Sequence, residues 1–218
     1  MLIFVVAVFT LFAAVLIIPA TRAVFEKLSA THPYIMGFIK FALLATSGEL
    51  ISIKMASGKF SKPAYLIARI VIWGLIGVWI TYMMKILFLG SGAMMAAGLL
   101  PGGKLAVNTV GYKLIRAFAT AATMNLTFGP TFMAVHKCSD TYLALRAQNG
   151  KGVKLSEVID AVDWKRFVSF TIFKTVPIFW IPAHTLTFLL PSEYQVMLAA
   201  LLSIAICIIL NLKKKSAK

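Results

Sequence analysis

Five charged residues lie inside long apolar runs of the sequence: Lys40, Glu49, Arg69, Arg116 and Lys174. An ionised side chain is costly in hydrocarbon, so it normally faces the interior of a helix bundle or a water-filled cavity. Four of the five are basic. If they share a lumen, this surplus of positive charge attracts anions and repels cations. The pattern therefore favours a positively lined path for small anionic solutes.

The same residues also have structural interpretations. Glu49 is near the end of one apolar run and Arg69 near the start of the next, so they lie at matched depth, which predicts an ion pair. Lys174 would enter from the same side and could join or compete for Glu49. The long side chains of Lys40 and Arg116 could instead extend to the outer membrane interface. The sequence leaves the cavity and these structural roles open.

Composition indicates an integral membrane protein. Hydrophobic residues make up 60% of the 218 residues and charged residues only 13%, whereas soluble domains have roughly half and a quarter. The net charge of +15 could suit nucleic acid. However, the basic residues cluster beside the apolar runs, which is typical of residues that orient a chain in a membrane. The predicted partner is therefore the lipid bilayer and not nucleic acid.

Six apolar runs are long enough to cross the bilayer as helices. They cover residues 2–20, 34–53, 65–87, 109–135, 167–190 and 194–212. A helix rises 1.5 Å per residue, so about 20 residues span the hydrocarbon core of roughly 30 Å. The first run lacks a basic segment before it and is interpreted as a retained helix rather than a signal peptide. The predicted fold is an all-α polytopic bundle of about six membrane spans.

Basic residues predict the orientation of this bundle. They are concentrated between the second and third runs, between the fourth and fifth, and after the sixth. The positive-inside rule therefore places both termini in the cytoplasm. The start of the chain also lacks an Arg- and Ser-rich transit sequence. A prokaryotic plasma membrane is favoured, with a mitochondrial inner or peroxisomal membrane as the alternative.

Two connections between the runs have distinct patterns. Residues 90–104 are apolar and rich in glycine, which fits a re-entrant turn or a flexible external loop. Residues 155–162 instead place Leu155, Val158, Ile159 and Val162 at helical spacing, with Ser156 as the expected N-cap. This predicts a short amphipathic helix on the membrane surface between spans four and five, anchored by Trp164 at the headgroup level.

Prolines interrupt the fourth and fifth spans. Gly129 and Pro130 come late in the fourth, and Pro177 and Pro182 lie on either side of Trp180 in the fifth. A proline frees backbone carbonyls that would otherwise accept helical hydrogen bonds. Such breaks act either as packing kinks or as hinges and ion sites.

Little in the sequence supports an enzyme. His32, His136 and His184 are far apart, Cys138 and Cys207 share no metal-type spacing, and no nucleophile or phosphate-binding motif is present. We therefore expect no catalytic residue, metal or cofactor. His184 lies within a span, where it is either a helix-packing hydrogen-bond partner or a proton relay.

Three groups of residues follow one another in an order typical of one membrane-protein family. They are Thr46-Ser47-Gly48-Glu49, then Gly129-Pro130 with His136 and Tyr142, then Asp163-Trp164, Trp180, Pro182, Thr187-Phe188, Pro191 and Tyr194-Gln195-Val196. This order resembles the Mpv/PMP family of peroxisomal and mitochondrial inner-membrane proteins. The resemblance implies a family-like helical domain over residues 32–212, an additional N-terminal helix over 1–31, and a basic tail over 213–218.

The family resemblance implies a small-solute channel whose cargo is unsettled. The chain departs from the family pattern at Glu49, Thr187 and Gln195, where the family usually has Asp, Asn and Arg, which indicates a distant member. The sequence thus predicts a channel or transporter for small anionic solutes. The alternative is a non-enzymatic membrane scaffold that organises lipid or a partner complex. Either function is compatible with a homo-oligomer.

Overall fold

A computed structural model describes residues 1–150 and 152–216, with side chains described as far as residue 209. Every regular element in these ranges is helical. The α-helices are α1 (Leu2–Ile17), α2 (Pro19–Thr31), α3 (Pro33–Ser57), α4 (Leu66–Ala96), α5 (Val110–Thr123), α6 (Gly129–Asn149), α7 (Leu155–Ala161), α8 (Trp164–Arg166), α9 (Ile181–Leu189) and α10 (Ser192–Ser216). Two π-helical segments, Met124–Phe128 and Phe167–Trp180, join α5 to α6 and α8 to α9.

Four helical stretches in the described residues are long and apolar enough to cross a membrane. They are Pro33–Ser57, Leu66–Ala96, Trp164–Leu189 and Ser192–Ile209. The bent pair α1 and α2 adds a fifth if the two helices form one broken span. This agrees with an integral membrane protein. The count of six spans is not confirmed, because the expected span over residues 109–135 is not among these helices. That segment belongs to a longer run of consecutive helical residues, made of α5, the first π-helical segment and α6, which ends at Asn149.

The N-terminal helix is shorter than the sequence predicted. Instead of continuing from residue 2 to residue 20, α1 ends at Ile17, and α2 leaves it at an angle of 98°. Pro19 causes the turn. A proline disfavours the helical backbone conformation in the residue before it, and Ile18 is extended, with φ −79° and ψ 119°. Pro19 itself fits the first turn of α2, where its missing N–H is not needed.

The helix α4 is longer than the sequence predicted. It continues through Gly90 to Ala96, so the glycine-rich connection begins only at Ala97. Gly98 and Gly102 then adopt left-handed conformations, with φ 74° and 87°, which glycine tolerates best. At 1.5 Å per residue the 31 residues of α4 extend about 46 Å. This exceeds the roughly 30 Å of a hydrocarbon core.

The chain divides into two compact units, and the first contains Met1–Thr81 with the segment from Ser192 onward. In this unit α3 packs against α10 and against the first part of α4. Gly48 allows α3 and α10 to approach closely, because a Cβ added at this position would lie only 2.7 Å from Ile204 Cγ1. The first unit therefore depends on close helix crossings along α3.

The second unit contains Tyr82–Pro191. Within it α5 packs along α9, and Ala117 and Ala121 of α5 are completely buried. This agrees with the general use of small residues where membrane helices approach closely. The predicted boundaries at residues 31/32 and 212/213 are not tested by this division. The predicted basic tail over residues 213–218 lies outside the described side chains.

The connection before the fifth span contains the short helix predicted from its apolar spacing. Helix α7 buries Val158, and Val162, the residue directly after the helix, is buried as well. The prediction of Ser156 as its N-cap is wrong. The N-cap is Lys154, two residues earlier, and its backbone N–H donates to the Glu157 carboxylate at 3.0 Å. Trp164 Nε1 donates to the Ile159 carbonyl at 2.8 Å. The membrane-surface position of α7 stays a prediction.

Candidate functional site

Glu49 on α3 forms the ion pair that the sequence predicted. Arg69 Nη1 donates to Glu49 Oε1 at 2.6 Å, and Trp73 Nε1 donates to Glu49 Oε2 at 3.2 Å. Arg69 and Trp73 are four residues apart on α4, so they present neighbouring side chains. Only 12% of the Arg69 side chain and 18% of the Glu49 side chain are exposed. Both carboxylate oxygens are therefore bound within the first unit.

The residues around this pair hold it in place. Arg69 Nε also donates to the Ala64 carbonyl at 3.0 Å, which fixes the plane of the guanidinium. Ser47 donates its hydroxyl to its own helix, to the Leu43 carbonyl at 2.8 Å. Gly48 provides the close approach of α10. In this part of α3, Gly48 thus allows close packing of the helices, and Glu49 provides the charge of the ion pair.

Lys40 is buried within the first unit. Only 2% of the residue is exposed. Its ammonium donates to Ser29 Oγ of α2 and to the Glu193 carbonyl of α10, both at 2.8 Å. It also lies 4.4 Å from the centroid of the Phe25 ring, within reach of a cation–π interaction. Lys40 therefore joins three helices, and its extension to the membrane interface stays a prediction.

A second contact between α2 and α10 lies beside Lys40. The Tyr194 hydroxyl donates to the Glu26 carboxylate, and the Phe25 and Tyr194 rings are 6.0 Å apart. Glu26 is also 4.0 Å from Arg22 on its own helix. These contacts fasten the start of α10 to α2.

Arg116 on α5 is half-buried in the second unit and binds the C-terminal part of α4. Its Nε and Nη2 donate to the Phe88 carbonyl at 3.2 and 2.9 Å. The guanidinium carbon lies 3.7 Å from the centroid of the Phe88 ring. Gly92 leaves room for it, since a Cβ there would lie 2.8 Å from Nη2. One turn later, Thr120 donates to Ser91 Oγ at 3.0 Å. Arg116 therefore joins α5 to the C-terminal part of α4.

Lys174 is exposed on the second π-helical segment, so the prediction that it is a buried charge is wrong. Within the described part of the chain, no hydrogen bond or ion pair holds its ammonium. Val176, two residues later, is completely buried instead. Glu49 and Lys174 belong to different units.

His184 forms a buried polar contact with a residue of the first π-helical segment. Asn125 and His184 are 3% and 5% exposed, and the Asn125 amide lies 2.9 to 3.1 Å from His184 Nδ1. Asn125 Nδ2 also donates to the Ala121 carbonyl at 2.8 Å. The Trp180 ring stacks on His184, with centroids 5.3 Å apart. Of the two roles expected for His184, this geometry matches the helix-packing hydrogen bond.

The prolines coincide with changes in helix type. Pro130 lies in the first turn of α6 directly after Gly129, Pro177 lies within the second π-helical segment, and Pro182 lies in the first turn of α9. A proline removes one helical donor, and a wider π turn accommodates the change. Pro191 separates α9 from α10. The prolines were the sequence signal nearest to the π-helical segments. From them we predicted kinks, hinges or ion sites, and not a change to π-helical turns.

The remaining predicted residues, His136 and Trp164, lie on α6 and α8 of the second unit. His136 Nε2 is 3.4 Å from Asp140 on the next turn of α6. Trp164 begins α8 after α7. Among the described residues, no group of three His, Cys, Asp or Glu side chains lies close enough to hold a metal ion.

No protein-family model, curated protein or solved structure matches this chain. The resemblance to the Mpv/PMP family and the channel function that it implies therefore stay predictions. The charged clusters themselves are the basis on which a function can be argued.

We expect Asn125→Ala to lower the free energy of unfolding by about 1–3 kcal/mol, because it leaves the buried His184 Nδ1 without its partner. Thr127→Val is the matched control, since Thr127 is exposed on the same segment and its hydroxyl binds only its own helix. Unfolding in detergent micelles measures both. Asn125→Leu combined with His184→Phe should recover most of the loss. Equal effects of Asn125→Ala and Thr127→Val would show that the contact contributes nothing.

Proposed function

We propose that this protein is a non-enzymatic membrane scaffold, whose buried charges hold its helices together instead of lining a path for solutes. One observation carries the proposal. Four of the five charges inside the apolar runs are bound to groups within their own unit, namely Lys40, Glu49, Arg69 and Arg116.

The donors of the two outer cations are directed at protein oxygens. The Lys40 ammonium is held by a hydroxyl and a carbonyl, and the Arg116 guanidinium donates twice to one carbonyl. A solute anion that used these donors would have to replace bonds that are each worth about 1.5–3 kcal/mol, as is usual for hydrogen bonds to charged groups. If Lys40 and Arg116 serve to hold helices together, no hydrogen bond has to be broken for them to act.

The proposal includes the finer topology that the basic residues predict. Both termini lie in the cytoplasm. The consecutive helical elements from α5 to α6 supply a sixth span, and α7 lies on the membrane surface. The net charge of +15 attracts the anionic lipids of the cytoplasmic leaflet. The scaffold then assembles a partner complex or organises lipid around two helical units.

Anion transport is the second candidate, and Lys174 favours it. Its ammonium is exposed ten residues after the start of the stretch Trp164–Leu189. An ionised group at such a position needs water, a headgroup or an anion. A solute path beside the second π-helical segment would provide one.

Flux through liposomes separates the two candidates. The purified protein is reconstituted, and uptake of chloride and of a small carboxylate is compared with empty liposomes. The scaffold proposal expects no added flux, together with a fixed partner or lipid that co-isolates with the protein. Lys174→Gln is compared with Lys165→Gln, a control at an exposed lysine of α8. Flux in the wild type that falls only in Lys174→Gln would overturn the scaffold and support transport.

A further inference from the structure

The bend between α1 and α2 encloses an apolar groove in the first unit. Its volume is about 430 Å³. Its walls come from both sides of the bend and from the start of α3: Val15, Ala20, Thr21, Val24, Phe25, Leu28 and Met36. Val24 and Leu28 are 56% and 41% exposed, although both are apolar. The groove thus presents an open apolar surface beside a sharp bend in the chain.

The helix that forms one wall of the groove has the features of an interfacial helix. The sequence of α2 mixes Arg22, Glu26 and Lys27 with apolar residues, and α2 runs at 98° to α1. If α1 stands across the bilayer, α2 lies along its surface. The groove is then at the level where acyl chains meet headgroups.

Charge at the rim of the groove indicates what it binds. Lys27 follows Val24 by three positions, so the two side chains are neighbours on the helix surface. Lys27 is exposed, and within the described residues no hydrogen bond or ion pair holds its ammonium. The carboxylate of α2, Glu26, is bound by Tyr194 and lies near Arg22. The rim therefore offers a free positive charge directly beside an apolar wall.

We propose that this groove is a binding site for one anionic phospholipid, with an acyl chain along Val24 and Leu28 and the phosphate at Lys27. The inference goes beyond the proposed function, because it holds for a scaffold or a transporter. An acyl chain gains little from the hydrophobic effect inside a bilayer, where it is already in hydrocarbon. Selectivity must therefore come from close packing in the groove and from the headgroup charge.

Native mass spectrometry of the full chain in detergent tests the site. The protein is titrated with phosphatidylglycerol and, separately, with phosphatidylcholine that has the same acyl chains. We expect one tightly bound lipid and about fivefold tighter binding of phosphatidylglycerol, the effect of one lysine near an anionic headgroup. Lys27→Gln should abolish this preference. Lys59→Gln, at an exposed lysine outside the groove, should leave it unchanged.

Two alanines of α2 provide a matched pair for the groove itself. Ala20 lines it and Ala23 does not, and both are exposed. Ala20→Phe fills the groove and should weaken binding of both lipids at least about tenfold, whereas Ala23→Phe should bind like the wild type. Equal binding by the two variants would overturn the site. The same conclusion would follow if Lys27→Gln kept the headgroup preference, or if a dimer formed in place of the lipid-bound monomer.

Discussion

Arg69→Met is expected to lower the free energy of unfolding by about 3 kcal/mol, because it leaves the Glu49 carboxylate largely buried without its cation. The Glu49 side chain is only 18% exposed, and its second oxygen still accepts from Trp73. The Trp73 indole is a neutral donor and does not replace the cation beside a largely buried carboxylate. The remaining charge must therefore be protonated or drawn to water, and either change loosens α3 from α4.

A double-mutant cycle in detergent micelles measures this coupling. Glu49→Gln removes the charge but keeps an oxygen that Trp73 can bind. Replacing both members of a buried ion pair by neutral groups is often close to neutral. We therefore expect Glu49→Gln combined with Arg69→Met to be clearly more stable than Arg69→Met alone.

An exposed lysine near the same connection supplies the control. Lys62→Met should change the free energy of unfolding by less than about 0.5 kcal/mol, as is usual for a surface position. Additive effects of Glu49→Gln and Arg69→Met, with no coupling between them, would contradict a fastening role for the pair. The scaffold proposal would then lose the support of the Glu49–Arg69 ion pair.

Gly77→Ala should destabilise the protein by about 3 kcal/mol or prevent it from folding. A Cβ at Gly77 would collide with the Gly37 carbonyl and lie 2.6 Å from Phe41 Cβ. The Gly37 carbonyl oxygen is a backbone atom, and Phe41 Cβ is attached directly to the backbone. Neither atom can move without shifting α3. Such overpacking typically costs about 1–3 kcal/mol and occasionally more. The effect should lie at the upper end because backbone has to move.

Gly90→Ala is the matched control on the same helix. A Cβ at Gly90 meets nothing within 4 Å. The alanine should be neutral or slightly stabilising, since alanine favours a helix over glycine by about 1 kcal/mol. The yield of folded protein and the unfolding midpoint in detergent compare the two variants. If both alanines behaved alike, the close crossing of α3 and α4 would not be required for stability.

Contacts close in sequence were the most predictable. Glu49 and Arg69 are separated by one short connection, so their depths along two successive helices could be estimated from residue counts alone. The apolar spacing of Val158 and Val162 predicted α7 in the same way. A helical repeat relates residues that are only one or two turns apart. Neither the Glu49–Arg69 pair nor α7 therefore depends on a segment distant in sequence.

Contacts between distant segments were not predictable. The sequence did not show which groups bind the Lys40 ammonium, because Ser29 is on another helix and Glu193 is 153 residues away. Lys174 was misplaced for a different reason. It was expected to be buried because it lies inside an apolar run, but position in a run does not show which side of the helix a residue occupies.

The sequence by itself determined the class of the protein, because composition and run length are sufficient to identify helices of membrane-spanning length. It also determined the short-range ion pair. Only the tertiary structure decided which buried charges are bound and which are exposed. The direction of a long side chain depends on the oxygens that other helices bring to it, and helix packing alone places those oxygens around Lys40 and Arg116.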